Sequence, residues 1–200
     1  MRGALCSLLG MANLIQASVE SHPPGSLPTS YVPGSFLLVH GTSIVSSTIR
    51  FGQHLRFPKV AKTWDDYNHA AGIVSAGGAM VEMLSRGATS DSIEKYRDVQ
   101  CHVVVPEMTL AQQRIAAEFW QWCLEHHIHY NWFAAFSDGV SCLTGGSLVF
   151  GTQGRMICSG MVAAGLCRAG VEGTELWTAG PSHVFPAELG IRTGLADLPA

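Results

Sequence analysis

The chain has 200 residues, which is enough for one well-packed domain and short of two domains of ordinary size. Apolar residues make up 47% and charged residues 14%, a composition that is typical of a globular protein and excludes a disordered chain. The formal net charge is −3 and no lysine-rich cluster occurs, so we expect no nucleic-acid partner.

The six cysteines are spread along the chain without CxxC pairs, and we expect buried or reactive thiols rather than a disulfide framework or a zinc site. They are Cys6, Cys101, Cys123, Cys142, Cys158 and Cys167. One segment, CLEHHIH at residues 123–129, combines a cysteine with three histidines. It lies at the end of an expected helix, where imidazoles suit the negative helix terminus without an ion. We therefore expect neither a metal nor a cofactor.

The N-terminal segment MRGALCSLLGMANLIQ is apolar after one arginine. It is shorter than the roughly 20 apolar residues that a membrane span needs, and no clear small-x-small cleavage site follows it. We expect a short amphipathic helix, with a cleaved signal peptide as the alternative; the first favours the cytoplasm and the second implies secretion. Because residues 21–35 are rich in proline, glycine and serine, we assign residues 1–32 to a helix and linker and residues 33–200 to one domain.

Four short apolar runs predict strands. SFLLVHG at residues 35–41 is a buried strand. HAAGIVSA at residues 69–76 and AMVEMLS at residues 79–85 are separated by two glycines, which is typical of a β-hairpin. QCHVVVP at residues 100–106 is the fourth strand and ends at its proline.

Helical periodicity and capping residues predict two main helices. Thr109 is the expected cap of the longest one, about residues 110–126, whose apolar side chains recur near a spacing of 3.6. Residues 156–170 form a second helix of small and apolar residues closed by Gly170. Shorter helices or turns are expected at residues 43–55, at residues 91–98 and from Pro186. The elements together predict an α+β fold.

Three residues combine the chemistry of a nucleophile, a base and an acid. His69 opens a predicted strand, from which its ring can project into a groove. Glu82 lies on the paired strand, where a carboxylate can accept the second N–H of the imidazole and fix its tautomer. Cys158 opens a helix, whose free N–H groups and dipole favour a thiolate and can bind an oxyanion. Each also has a structural alternative: a satisfied histidine, a solvent-facing carboxylate and a buried thiol.

The segments YNHAAGIV, MVEML, YNWFAAF, ICSGMVAAGLCRAG and FPAEL, in this order, resemble the circularly permuted branch of the NlpC-type papain-like superfamily. This branch includes YiiX-like and YaeF-like proteins and, more distantly, lecithin:retinol acyltransferase. In ordinary papain-like enzymes the cysteine precedes the histidine, whereas here the histidine comes first. The resemblance covers about residues 33–190. It implies a papain-like α+β fold, in which a small antiparallel sheet or barrel packs against helices.

Carried over to this chain, the resemblance implies a cysteine hydrolase of the amidase or peptidase type. Cys158 matches the nucleophile, His69 the general base and Glu82 the orienting acid. Tyr67, two residues before the histidine, lies where an aromatic hydroxyl can line the substrate site. The related acyltransferases carry a second histidine at the position of Glu82, which favours hydrolysis here.

Two other functions remain open at this point. The first is a lipid acyltransferase or thioesterase on the same fold, and the second is a non-catalytic binding module. The expected partner is a small-molecule, peptide or lipid-linked substrate. Membrane contact and oligomeric state stay open.

Overall fold

In the computed structural model, residues 15–40, 67–130, 155–176 and 184–193 are described. Six strands among them form one open antiparallel sheet, in the order β1-β6-β2-β3-β4-β5. The strands are β1 (Ala17–His22), β2 (Phe36–Val39), β3 (His69–Ile73), β4 (Ala79–Leu84), β5 (Gly87–Ser92) and β6 (Cys101–Pro106). The predicted α+β class is confirmed, and the described strands form an open sheet rather than a barrel.

Three helices pack with this sheet: α1 (Leu110–Glu125), α2 (Cys158–Arg168) and α3 (Pro186–Arg192). Helices α1 and α2 lie against β3 and β4 and against each other, and α3 packs on α2. A short parallel pair joins β7 (His129–Tyr130) to β8 (Arg155–Met156). Two 3₁₀ segments, Ile93–Tyr96 and Thr174–Leu176, complete the described elements. No helix in the described ranges is both long and apolar enough to cross a membrane.

The ends of the two main helices follow the predicted capping. The hydroxyl of Thr109 accepts the backbone N–H of Gln112, and the Gln112 side chain accepts the N–H of Thr109 at 2.9 Å, which forms a capping box. Gly170, directly after α2, has a φ of +67°, a left-handed conformation that favours glycine. Both predicted boundaries are confirmed.

The predicted hairpin joins β3 to β4 and sets the register of the site. Ala71 pairs with Glu82, and Ile73 pairs with Met80. Gly78 in the turn has a φ of +81°, and a Cβ there would lie 2.8 Å from Cγ2 of Ile93. The turn therefore needs glycine for both conformation and space.

Trp120 of α1 holds α2 against the sheet. Its side chain is fully buried, and its Nε1–H donates to the carbonyl oxygen of Met161 at 3.1 Å. The ring is flanked by two glycines, Gly72 on β3 and Gly165 on α2; a Cβ on either would lie within 2.3 Å of it. These glycines let α1, α2 and β3 approach closely, which brings the start of α2 to the start of β3.

Two edge strands were not predicted from the sequence. Ala17–His22, within the expected helix and linker, forms β1 and pairs with β6. Gly87–Ser92, a polar segment, forms β5 and pairs with β4. Neither segment has a strong apolar alternation, and each is a strand because a neighbouring strand supplies its hydrogen-bond partners. The domain boundary at residue 32 stays a prediction. The expected helix at residues 43–55 lies outside the described residues, as does the expected N-terminal helix at residues 1–16 except for its last two residues, which are not helical.

Candidate active site

Cys158 and His69 meet where α2 begins beside β3. Each is the first residue of its element, and the thiol and the imidazole are in hydrogen-bond contact. Both side chains are largely buried, with 4% of Cys158 and 16% of the His69 side chain exposed. The hydroxyl of Ser159 donates to the carbonyl oxygen of Val184 at 2.5 Å and fixes the first turn of α2. The predicted contact between the thiol and the imidazole is confirmed.

Two backbone N–H groups, those of Ala70 and Ser159, donate to the cysteine sulfur. The N–H of Ile73 donates to Ser35 beside β2. Because N–H directions alternate along a strand, the N–H of Ala70 points to the opposite side, toward β4. The pairing of β3 with β4 begins only at Ala71, so the N–H of Ala70 lies beyond this ladder and is available to the sulfur.

Glu82 contacts the imidazole from β4. Its Oε2 accepts a hydrogen bond from Nε2 of His69 at 2.8 Å, and its side chain is 0% exposed. The register explains the contact, because Glu82 is paired with Ala71, two residues along β3 from His69 and therefore on the same face of the sheet. With Nε2 on the carboxylate, Nδ1 is the ring nitrogen left for Cys158. The predicted orienting contact is confirmed.

Two further side chains reach Glu82 from the 3₁₀ segment that follows β5. Neither of them was predicted from the sequence as a site residue. The hydroxyl of Tyr96 donates to Oε2 at 2.6 Å, and the ammonium of Lys95 pairs with Oε1. Lys95 also pairs with Asp91 at 3.1 Å. The sequence did predict a short helix or turn at these residues, but only the unpredicted pairing of β5 brings it beside Glu82.

The surroundings of Cys158 and His69 favour an ion pair. Burial opposes ionisation of the thiol, but the imidazole and the two N–H donors outweigh it and lower the pKa of Cys158. Burial likewise opposes protonation of the imidazole, yet the thiolate and the Glu82 carboxylate raise the pKa of His69 to about 9. The lowered pKa of Cys158 and the raised pKa of His69 both favour the thiolate–imidazolium pair over the neutral pair.

Glu82 is held in its charged form. Burial alone would raise its pKa, but the hydrogen bonds from His69, Lys95 and Tyr96 lower the pKa of Glu82 to about 2. For Tyr96, burial and the adjacent carboxylate raise the pKa well above its usual range, so its hydroxyl stays protonated and donates. At neutral pH the carboxylate is thus ionised and accepts from the imidazole.

The other described thiols have the opposite environment. Burial raises the pKa of Cys101 to about 11 and that of Cys123 to about 12. Burial also raises the pKa of Cys167. Of the four cysteines that the structure describes, Cys158 alone has a lowered pKa; Cys6 and Cys142 lie outside the described residues.

Tyr67 is buried in the same apolar cluster as Cys158. Its hydroxyl is hydrogen-bonded to Nε2 of His102, and the two rings meet edge to face with centroids 4.9 Å apart. Tyr67 is thus joined to β6 through His102. Its predicted role in substrate binding stays a prediction.

The histidines at the end of α1 are arranged around the helix terminus. His126 donates from Nδ1 to the carbonyl oxygen of Trp122 at 2.9 Å and stacks on the Trp122 ring. His127 has a φ of +49° and turns the chain out of the helix. Across the described ranges, no three His, Cys, Asp or Glu side chains are grouped so that they could hold a metal ion.

Comparison of the chain with protein-family models, curated proteins and solved structures finds no match. The resemblance to the permuted papain-like branch therefore rests on the short motifs and on their order along the chain. The site geometry stands independently of that resemblance, because it follows from the contacts among Cys158, His69 and Glu82.

Proposed function

We propose that the protein is a cysteine hydrolase of the amidase or peptidase type on a circularly permuted papain-like fold. One observation carries the proposal: Cys158, His69 and Glu82 form a continuous line of contacts in which a thiolate, an imidazolium and a carboxylate are each stabilised. A nucleophile, a base and an orienting group in this order are the requirements of acyl transfer through a covalent intermediate.

In the first half of the reaction, the thiolate of Cys158 attacks the carbonyl carbon of an amide. A carbon–sulfur bond forms, and the carbonyl oxygen becomes an oxyanion near the N–H groups at the start of α2. The imidazolium of His69 then gives its Nδ1 proton to the amide nitrogen. The carbon–nitrogen bond breaks, the amine leaves, and an acyl thioester remains on the cysteine.

In the second half, neutral His69 accepts a proton from water while the water oxygen attacks the thioester carbon. The carbon–sulfur bond breaks, the carboxylic acid leaves, and the thiolate–imidazolium pair is restored. Glu82 keeps Nε2 protonated throughout, so that Nδ1 is the nitrogen that exchanges the proton. The substrate class that we propose is a small-molecule, peptide or lipid-linked amide.

The proposal is tested with peptidyl and fatty-acyl amides of aminomethylcoumarin, which release a fluorescent amine on acylation. We expect amine release and, by intact mass spectrometry after rapid acid quench, an acyl adduct on Cys158. The Cys158→Ser variant should show neither, whereas Cys167→Ser should behave as the unchanged protein. A folded protein that releases no amine and forms no adduct with any of these amides would contradict the proposal and favour a binding module.

The same reaction distinguishes hydrolysis from acyl transfer. With water as the only acceptor, a hydrolase releases the free acid at the rate of amine release. With an added primary amine, an acyltransferase diverts most of the acyl group to the new amide. We expect the free acid to dominate, and predominant transfer to the amine would instead assign the site to the lipid acyltransferase alternative.

A further inference from the structure

We propose that Lys95 and Tyr96 are positioning residues that hold the Glu82 carboxylate in one orientation beside His69, and that Lys95 limits how strongly Glu82 stabilises the imidazolium. The inference rests on the proposed function only in treating Cys158 and His69 as the reactive pair. The contacts that carry it are independent of any substrate.

The two oxygens of Glu82 are divided among three donors. Oε2 accepts from Nε2 of His69 at 2.8 Å and from the hydroxyl of Tyr96 at 2.6 Å. Oε1 accepts from the ammonium of Lys95. A carboxylate turns easily about its last torsion, but here rotation would break contacts at both oxygens. Lys95 and Tyr96 therefore set the plane in which the carboxylate meets the imidazole.

Lys95 also balances charge in the buried part of the site. Cys158 thiolate, His69 imidazolium and Glu82 carboxylate carry a net charge of −1 together. A buried charge without a partner is strongly unfavourable. Lys95, whose side chain is 36% exposed, supplies the compensating charge from the protein surface, where Asp91 at 3.1 Å holds it.

The groups that face His69 come from the elements packed around it. Cys158 approaches from α2 and Glu82 from β4, and the ring of Tyr96 lies with its centroid 6.1 Å from that of His69. From β2, the residue paired with His69 is the apolar Val39. Lys95 and Asp91 thus act on the imidazole through Glu82. They set how much of the negative charge of this carboxylate is compensated.

This arrangement predicts a direction. Without Lys95 the Glu82 charge is less compensated, so it stabilises the imidazolium more strongly and the pKa of His69 rises. We expect Lys95→Met to raise it by about 1 unit, the low end of the range for a neighbouring charge. Lys95→Arg keeps the positive charge and should leave the pKa of His69 at its wild-type value. Tyr96→Phe removes one of the two donors to Oε2 of Glu82, the oxygen that also accepts from His69. We expect it to raise the pKa of His69 as well, by a smaller amount.

The experiment is an NMR titration of the His69 ring in the intact protein between pH 6 and pH 11, with a His69→Gln spectrum to assign the signal. Arg97→Met is the matched control, because Arg97 lies just after the same 3₁₀ segment but pairs with the exposed Glu94 at 2.6 Å. We expect no shift for this control. A purely structural role for Lys95 lowers stability without raising the pKa of His69.

An unmoved or lowered pKa of His69 in folded Lys95→Met overturns the inference. If Lys95→Met does not fold, Tyr96→Phe decides in the same way, because it changes no charge and keeps the ring. The titration needs no substrate, so it also separates the two proposals. If Lys95→Met raises the pKa of His69 but the wild-type protein hydrolyses no amide, the positioning role is supported and the hydrolase proposal is contradicted. If the wild-type protein is active but Lys95→Met leaves the pKa of His69 unchanged, the hydrolase proposal is supported and the positioning role is contradicted.

Discussion

Glu82 and His69 are joined across two neighbouring strands by a hydrogen bond of 2.8 Å between Oε2 and Nε2. The carboxylate is fully buried, so the contact is shielded from water and salt. Because Nε2 is committed to Glu82, the imidazole can exchange a proton only through Nδ1, on the side of Cys158.

Cys158 should be the most rapidly alkylated of the described thiols at pH 7. Its pKa is lowered by His69 and by the N–H groups of Ala70 and Ser159, whereas the pKa values of the other three are raised by burial. Since the thiolate is the reactive form, a lowered pKa raises the fraction of Cys158 that can react at this pH. Brief iodoacetamide treatment followed by peptide mapping measures the order of labelling.

The control for this labelling is His69→Ala. This change should remove most of the difference in alkylation rate between Cys158 and the other thiols. Unfolding in urea should bring the labelling rates of all the thiols together. Preferential labelling of Cys101, Cys123 or Cys167 in the folded protein would contradict the prediction.

Glu82→Gln should keep the fold and lower kcat by about 10²-fold, which is the smaller effect typical of acid–base machinery. The amide can still meet Nε2 but carries no charge, so the pKa of His69 should fall from about 9 toward its ordinary 6.5. Amine release and NMR titration of the ring measure the two effects. Glu118→Gln on α1, which removes an exposed pair with Arg114, is the matched control and should change neither.

The stability of the protein should fall at acid pH, where the buried Glu82 carboxylate must be protonated. The pKa of Glu82 is lowered to about 2 on folding, so its contribution is present above pH 4.5 and is lost as the pH falls through 2. The pKa of His69 is raised to about 9, but that of Cys158 is lowered by the same contact, so above pH 6.5 the proton that folding adds to His69 is offset by the proton that folding removes from Cys158, and the pair adds little alkaline pH dependence. One proton accounts for at most about 1.4 kcal/mol of the free energy of unfolding per pH unit.

Urea unfolding of wild-type protein and Glu82→Gln at pH 7 and pH 3 measures this acid dependence. The loss of unfolding free energy between the two pH values should be smaller in the variant, because it has no carboxylate to protonate at this position. An equal loss in both proteins would assign it to other groups.

Gly165→Ala should move α2 and disturb the reactive pair from a distance. The added Cβ would lie 2.2 Å from Nε1 of Trp120, so the helix must shift or the ring must turn. We expect a loss of about 1–3 kcal/mol in the free energy of unfolding, as for other overpacked cores, together with slower alkylation of Cys158. Gly77→Ala in the hairpin turn is the control, because its nearest neighbour would be 3.9 Å away and both properties should stay unchanged.

Local patterns in the sequence were sufficient to predict the central elements of the fold. The two-glycine hairpin, the Thr109 cap and the Gly170 stop depend on residues close together in the chain, so they are visible without a structure. The contact of His69 with Glu82 also follows from the hairpin, because strand pairing and alternation place them on one face. The prediction that Cys158 also contacts His69 came from the order of the family motifs.

The environment of Glu82 depends on pairings that no local pattern encodes. Strand β5 is polar and is ordered by its hydrogen bonds to β4, with Thr89 opposite Glu82. That register carries the following 3₁₀ segment back over the carboxylate, where Lys95 and Tyr96 reach its two oxygens. Edge strands such as β1 and β5 derive their structure from the neighbour that completes their backbone hydrogen bonds, and side-chain periodicity records burial rather than pairing.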